Sequence, residues 1–327
     1  MDEMSEFSET YRLDIEHMPA QHLPISERLP LALDWSVPVF TTDNPYVPLM
    51  DPDYHFDPDT TRAIAAGFCF NRRVLVQGLH GTGKSTHIEQ VASRLGWPCM
   101  RINLDGYITR LDLIGRDGVR VTDGKQVTFF QEGILPWSLR RPICLIFDEY
   151  DAARPDVLFV LQRVLERQGK LTLVEQNTII TPHPYFRLFA TANTIGLGDA
   201  TGLYHGTHAI NQGQMDRWDV VTSLNYITVE QETQIITSKV PQLDRERYVA
   251  PMVQCAQLIR RSFASGDISS VMSPRSVLSW AENTLIFDDV HYAFRVTFLN
   301  KCDETERSII AEYYQRCFAH ALPELQT

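Results

Sequence analysis

The stretch Gly78-Leu79-His80-Gly81-Thr82-Gly83-Lys84-Ser85 fits the pattern G-x-x-x-x-G-K-[ST] in full. Val74-Leu75-Val76-Gln77 before it reads as a β-branched strand, and an amphipathic helix is expected after it, to about Leu95. A strand, a glycine turn and a helix start together make an anion site. Glycines let the backbone aim its N–H groups at phosphate oxygens, and the helix N-terminus adds positive potential. The pattern assigns nucleotide contacts to Gly78, His80, Gly81, Thr82, Gly83, Lys84, Ser85 and Thr86. Lys84 is expected to reach the β- and γ-phosphates of ATP, and the Ser85 hydroxyl to bind Mg2+. His80 lies inside the loop, where side chains vary freely, and no catalytic role is expected of it.

Ile143-Cys144-Leu145-Ile146-Phe147-Asp148-Glu149 is an apolar run ending in two acids. A strand of this kind delivers its carboxylates to the sheet edge where ligands sit in open α/β folds. Asp148 is expected to complete the Mg2+ sphere. Glu149 is expected to polarise an attacking water, which favours hydrolysis over transfer to a small acceptor because water needs a base. Phe189-Ala190-Thr191-Ala192-Asn193 ends another apolar strand with an amide, so Asn193 can hold that water near the γ-phosphate. Two arginines complete the set. Arg217 follows a loop carrying Gly196, Gly198, Gly202, Gly206 and Gly213. Arg275 falls in the first turn of a helix that Ser273 caps and Pro274 opens. A cation there opposes the helix dipole, so Arg275 is expected to face an anion such as ATP phosphate.

Parallel strands covered by helices must hold these residues. Strands are expected at Val74–Gln77, Cys99–Leu104, Ile143–Phe147 and Phe186–Ala192, with a helix from Pro155 to about Gln168. Beyond about Thr228 the patterns near Pro251–Ala264, Pro274–Ile286 and Asp303–Ala319 are helical. The expected organisation is therefore an arm over residues 1–58, an α/β core over 59–227 and a small all-helical domain over 228–327. Val119–Phe129 alternates on both sides of Asp123-Gly124, a β-hairpin signal.

Composition narrows the function. The net charge of the 327-residue chain is −11, which argues against a broad basic surface for nucleic acid or an anionic membrane. Residues 1–58 hold twelve acidic and two basic residues, a net charge of −10, and eight of the eighteen prolines. That arm is expected to be irregular and to contact something. No run of 18 apolar residues could span a bilayer, and the acidic start lacks the apolar segment of a secretory signal. The six scattered cysteines form no C-x-x-C pair and read as reduced thiols of a cytoplasmic protein. His205 and His208, three apart in the glycine loop, have no nearby acid or cysteine to complete a metal set.

A phosphate loop, an Asp-Glu strand end, a polar Asn, a late Arg and a helical domain with its own Arg together resemble the AAA+ ATPases. Asp112-Leu113-Ile114-Gly115, Met215-Asp216-Arg217-Trp218 and Ser273-Pro274-Arg275 resemble the MoxR and metal-chelatase branch, which carries an insert in its second helix, here about residues 106–131. The stretches Gly78–Cys99, Glu132–Pro142, Phe147–Glu166, Gly202–Trp218 and Val271–Asn283 are similar to the ATPase subunits of aerobic, cobalamin-pathway cobaltochelatases. The resemblance runs from about Asp51 to Phe318. It implies Lys84, Ser85, Asp148 and Glu149 as nucleotide, Mg2+ and hydrolysis residues, Asn193 as sensor 1 and Arg275 as sensor 2. Arg217 is implied as an arginine finger reaching into a neighbouring copy, and hence a ring, a hexamer. The implied partners are a large cobalt-chelating subunit and a subunit with a von Willebrand factor A-like domain, and the implied corrin substrate is hydrogenobyrinic acid a,c-diamide. The core motifs alone also permit a MoxR-type chaperone that matures another metalloenzyme.

Overall fold

A computed structural model of the chain describes residues 20–41, 44–122, 124–166, 169–194 and 210–322. The chain enters through β1 (Ala20–Pro24) and β2 (Ser36–Phe40), an antiparallel pair with Leu23 opposite Val37. Ile25, Leu29, Leu31, Val37, Val39 and Phe40 are buried in the same core as the main sheet. Over residues 20–40 this corrects the expectation of an irregular arm, although the segment does contact the rest of the chain. Prolines and acids masked a Val37-Val39 alternation, and Pro38 is tolerated because each strand of a two-stranded pair keeps an edge facing away from its partner. The Phe40 N–H donates to the Leu95 carbonyl at 2.9 Å, fastening the pair to the core.

Next comes α1 (Pro58–Phe70), which has Pro58 in its first turn and is capped by Asp57 accepting from the Thr60 N–H. The core then alternates as expected through β3 (Val74–Gln77), α2 (Lys84–Arg94) and β4 (Cys99–Asn103). A short α3 (Arg110–Ile114) leads into the antiparallel hairpin β5 (Gly115–Thr122) and β6 (Lys125–Glu132). The hairpin turns where Asp123-Gly124 predicts it; Asp123 itself lies outside the described residues. α4 (Ile134–Leu139) then precedes β7 (Cys144–Asp148), every residue of which is buried. The helix opened by Pro155, α5 (Pro155–Leu165), ends before the expected Gln168. A third two-stranded sheet, β8 (Leu171–Leu173) and β9 (Thr178–Ile180), was not expected, because three-residue strands are too short to show a period.

The core closes with β10 (Arg187–Ala192), the short α6 (Gln212–Met215) and β11 (Val220–Ser223). The main sheet runs β11-β3-β10-β7-β4 with all neighbours parallel. β4 follows β3 in sequence but lies at the far edge, so the crevice past the C-terminal ends of β3, β10 and β7 is a switch point of the kind ligands occupy.

Five helices follow: α7 (Val229–Lys239), α8 (Ala250–Ser265), α9 (Pro274–Phe287), α10 (Val290–Thr297) and α11 (Glu304–Phe318). They bury a separate core around Trp280, whose indole N–H donates to the Val290 carbonyl at 3.1 Å. Inside this bundle Arg260, 4% exposed, forks onto both carboxylate oxygens of fully buried Glu232 at 2.6 and 2.7 Å. Its Nε donates to the Met272 carbonyl, and its guanidinium lies 4.6 Å from the Tyr226 ring centroid. No described helix is long and apolar enough to cross a membrane.

Candidate nucleotide-hydrolysis site

The glycine loop joins β3 to α2, and each of its first two glycines answers a different neighbour. A Cβ on Gly78 would fall 2.2 Å from the Leu224 carbonyl oxygen, and one on Gly81 2.2 Å from the Ser273 Cβ. Gly78 therefore lets the loop pass the exit of β11, and Gly81, at φ +76°, lets it touch the capped start of α9. Leu79 packs onto the helical bundle's core. Loop and bundle thus meet directly, where the spacing of Ser273-Pro274-Arg275 placed a helix start.

Lys84 opens α2 and is 7% exposed. Its ammonium donates to the Gly78 and Leu79 carbonyls at 2.8 and 3.0 Å and to Asn193 Oδ1 at 2.8 Å. Burial pulls its pKa down to about 8, against the opposing pull of Asp151, Asp148 and Glu149. These three acceptors take up all three ammonium protons.

Ser85 donates to Asp148 Oδ1 at 2.5 Å, and Thr191 donates to the same oxygen at 2.9 Å. Two nitrogens of Arg101 hold the other oxygen, Oδ2, at 2.7 and 2.6 Å. A hydroxyl touching a carboxylate at the helix start is a hard-oxygen pair, which fits a small divalent cation completed by phosphate and water. Among the described residues no cluster of three His, Cys, Asp or Glu offers an alternative ion site. The glycine-loop histidines His205 and His208 lie outside the described residues, as do Gly196, Gly198, Gly202 and Gly206.

Glu149 sits just past β7 at φ 57°, ψ 43°, a left-handed conformation that non-glycine residues adopt only when their surroundings impose it. Its N–H donates to Thr191 Oγ1 at 3.3 Å. Thr191 thus ties both acids of the Asp148-Glu149 pair to β10. Asn193 is held from behind by Asp151, 1% exposed, whose Oδ2 accepts from the Asn193 and Thr194 N–H groups at 3.0 and 2.8 Å.

Together His80, Gly81, Gly83, Lys84, Ser85, Thr86, Asp148, Glu149, Asn193 and Arg275 line one cleft of about 250 Å3, with Arg101, Asn103 and Thr191. Burial, then the charges of Lys84 and Arg275, lower the His80 pKa. Arg217 is not in this cleft. Its guanidinium donates to the Gly213 carbonyl, and with the Gln162 amide oxygen turned toward it, both terminal nitrogens lie within 3.2 Å of that oxygen.

An adjoining cavity of about 300 Å3 shares Gly81, Gly83, Thr86 and Arg275 with the cleft and also takes in Thr82. Its walls are Tyr54 and His55 from the N-terminal segment, Ile227 from the connector, and Ile236 and Leu278 from the bundle. The Tyr54 hydroxyl bonds His87 Nδ1 at 3.1 Å, and burial takes the His87 pKa down to about 4, keeping the ring neutral. Asp51 closes the rim. It accepts from Lys239 on α7 at 2.7 Å, while its N–H donates to Gln90 on α2. Sequence reading missed Arg101, Thr191, Asp151 and this whole wall. Only Thr191 carried a signal, as the one hydroxyl inside a buried strand.

A family model described as AAA domain (dynein-related subfamily) matches residues 73–203. The aerobic cobaltochelatase subunit CobS of Sinorhizobium sp is 56% identical over 315 residues, covering 95% of this chain and 95% of that one. Midasin of Dictyostelium discoideum is 32% identical over 145 residues, 44% of this chain but 2% of that protein. The RuvB Holliday junction branch migration motor of Thermotoga maritima matches with a TM-score of 0.45 at 15% identity, over 77% of this chain and 72% of that one. Identity at the first of these levels along nearly the full length of both chains, over a nucleotide cleft of this geometry, means that the chain belongs to the CobS family of AAA-type ATPases.

Proposed function

We propose that this chain is the ATP-hydrolysing motor subunit of an aerobic cobaltochelatase, driving Co2+ insertion into hydrogenobyrinic acid a,c-diamide in cobalamin biosynthesis. The observation that carries the reading is the convergence of Lys84, Ser85, Asp148, Glu149, Asn193 and Arg275 on one cleft in a chain of this family. The triphosphate lies along the glycine loop, with the base in the adjoining cavity between Tyr54, Ile227 and Leu278. Lys84 exchanges a carbonyl or Asn193 for phosphate oxygen, and Arg275 faces the phosphates from the bundle. Ser85 and Asp148 would hold Mg2+, which neutralises phosphate charge when bound.

Glu149 takes the proton of a water that Asn193 helps to orient. The water oxygen forms its bond to the γ-phosphorus while the bond to the β–γ bridging oxygen breaks, leaving ADP and phosphate. Arg217, turned away from its own cleft, serves a neighbouring copy, so the working form is a ring, a hexamer. The partners are a large chelating subunit (CobN-like) and a von Willebrand factor A-domain subunit (CobT-like), in the cytoplasm. The hairpin β5–β6, with Val119 and Val121 exposed, is the element that pushes on a partner.

Reconstitution with those two subunits tests the reading through ATP-dependent cobalt uptake by the corrin. Wild type is expected to support uptake and Glu149→Gln to bind ATP without supporting it. Arg217→Ala is expected to lose about 10³-fold or more in ATP turnover. Uptake that proceeds equally with Glu149→Gln would refute the motor role.

A further inference from the structure

Arg101 stands on β4, outside every motif read from the sequence, yet it holds one whole side of Asp148. Its Nε and one terminal nitrogen lie 2.7 and 2.6 Å from Asp148 Oδ2, and its remaining nitrogen lies 3.2 Å from both oxygens of Glu89 on α2. With Ser85 and Thr191 on Oδ1, the Asp148 carboxylate already accepts four donors. A carboxylate offers about four lone-pair sites. A cation arriving at Asp148 therefore competes with a donor already in place. The Ser85 contact presents no obstacle, since a hydroxyl can turn its own lone pair to the same ion. Thr191 is fixed by the Glu149 N–H behind it. Arg101 is the donor free to leave: its side chain is 43% exposed, and Glu89 stands beside it as a second anion.

We propose that Arg101 is a positioning residue that competes with a divalent cation for the Oδ2 side of Asp148 and transfers to Glu89 when that cation enters with the nucleotide. The inference rests on Asp148 being a cation ligand. Arg101 sets the concentration of cation the site demands. It also keeps Asp148 compensated and aligned between cycles, when an unpaired, nearly buried carboxylate would be costly.

The test measures binding rather than turnover. Calorimetry with the non-hydrolysable analogue AMP-PNP, over a buffered Mg2+ series, gives the Mg2+ concentration at which binding tightens half-way. Arg101→Met keeps the stem and removes the competitor, and is expected to lower that concentration about tenfold, the size of one charge-assisted hydrogen bond. Glu89→Gln removes the receiving anion and is expected to raise it about two- to fivefold. AMP-PNP affinity in EDTA, measured for each variant, is the reference from which its Mg2+ midpoint is read, and Glu89→Gln is expected to leave that reference unchanged. An unmoved or raised Mg2+ midpoint in Arg101→Met, read against that reference, overturns the proposal. If Arg101→Met does not fold, the sign of the Glu89→Gln shift decides alone. A wild-type chain whose AMP-PNP binding ignores Mg2+ would instead sink the cation role of Asp148, and this inference with it.

Discussion

Replacing Thr191 by Val tests how the two acids at the end of β7 are aligned. Valine keeps the β-branched shape that suits a buried strand and removes only the hydroxyl. Thr191 is 3% exposed, so no solvent takes the hydroxyl's place at its own position. Two contacts go at once. Asp148 Oδ1 loses a donor at 2.9 Å, a hydrogen bond to a charged group worth about 1.5–3 kcal/mol. The Glu149 N–H loses an acceptor at 3.3 Å, a long bond to a half-buried group worth about 0.5–1 kcal/mol. The sum, about 2–4 kcal/mol, corresponds to a fall of roughly 4–16 °C in Tm for a domain of this size. The larger effect is expected in turnover. Glu149 is kept left-handed partly by that contact, and a displacement of about 1 Å in a catalytic group costs on the order of 100-fold. Phosphate release at saturating ATP should therefore fall about 10- to 100-fold, with nucleotide affinity little changed because the glycine loop is untouched. Thr191→Ser, which restores the hydroxyl, should recover most of both losses. Wild-type turnover in Thr191→Val, or failure of Thr191→Ser to recover it, would refute the alignment argument.

Lys84 sets a pH dependence. Its folded-state pKa of about 8 lies below the ordinary 10.5, and bound phosphate favours the ammonium form. Nucleotide affinity should therefore be flat below about pH 8 and fall by up to about tenfold per pH unit above it, read by calorimetry in a buffer series. The stability of the nucleotide-free chain should move the opposite way. Between about pH 8 and 10.5 the unfolded chain binds the extra proton, so this residue's contribution to stability rises with pH. Gly81→Ala and Gly124→Ala separate strain from contact. Both have positive φ, +76° and +73°, but only at Gly81 does a neighbour block the added methyl, so only Gly81→Ala should weaken ATP binding, by about 10-fold or more. Gly124→Ala should cost about 1 kcal/mol in thermal stability and leave affinity intact.

The reading of the sequence reached as far as local signals reach. Lys84, Ser85, Asp148 and Asn193 were legible because each sits at a strand end or helix start, where residue type and spacing fix position. Their actual partners were not. Lys84 bonds Asn193 across 109 positions of sequence and Arg101 bonds Asp148 across 47, and no spacing rule links such pairs. The N-terminal segment was misjudged for the same reason. Val37 and Val39 count as core only because β2 packs against α1, far along the sequence, while composition registered only acid and proline. The helix α7 went unread because it offers few apolar positions, and α10 because eight residues hold barely two turns. Asp51, acidic and flanked by proline, gave no hint that it would bridge α2 and α7 beside the second cavity.

Arg260 gives the bundle a particular mechanical character. Removing either Arg260 or Glu232 would strand a buried charge at a cost of about 3–5 kcal/mol, so sliding α7 against α8 is strongly resisted. The same guanidinium lies on the ring of Tyr226, whose hydroxyl donates to the His80 carbonyl at 2.7 Å. A tyrosine thus links the phosphate loop to a block of helices that resists shear. Any displacement of the loop therefore meets the whole block through one side chain instead of being absorbed by local loosening.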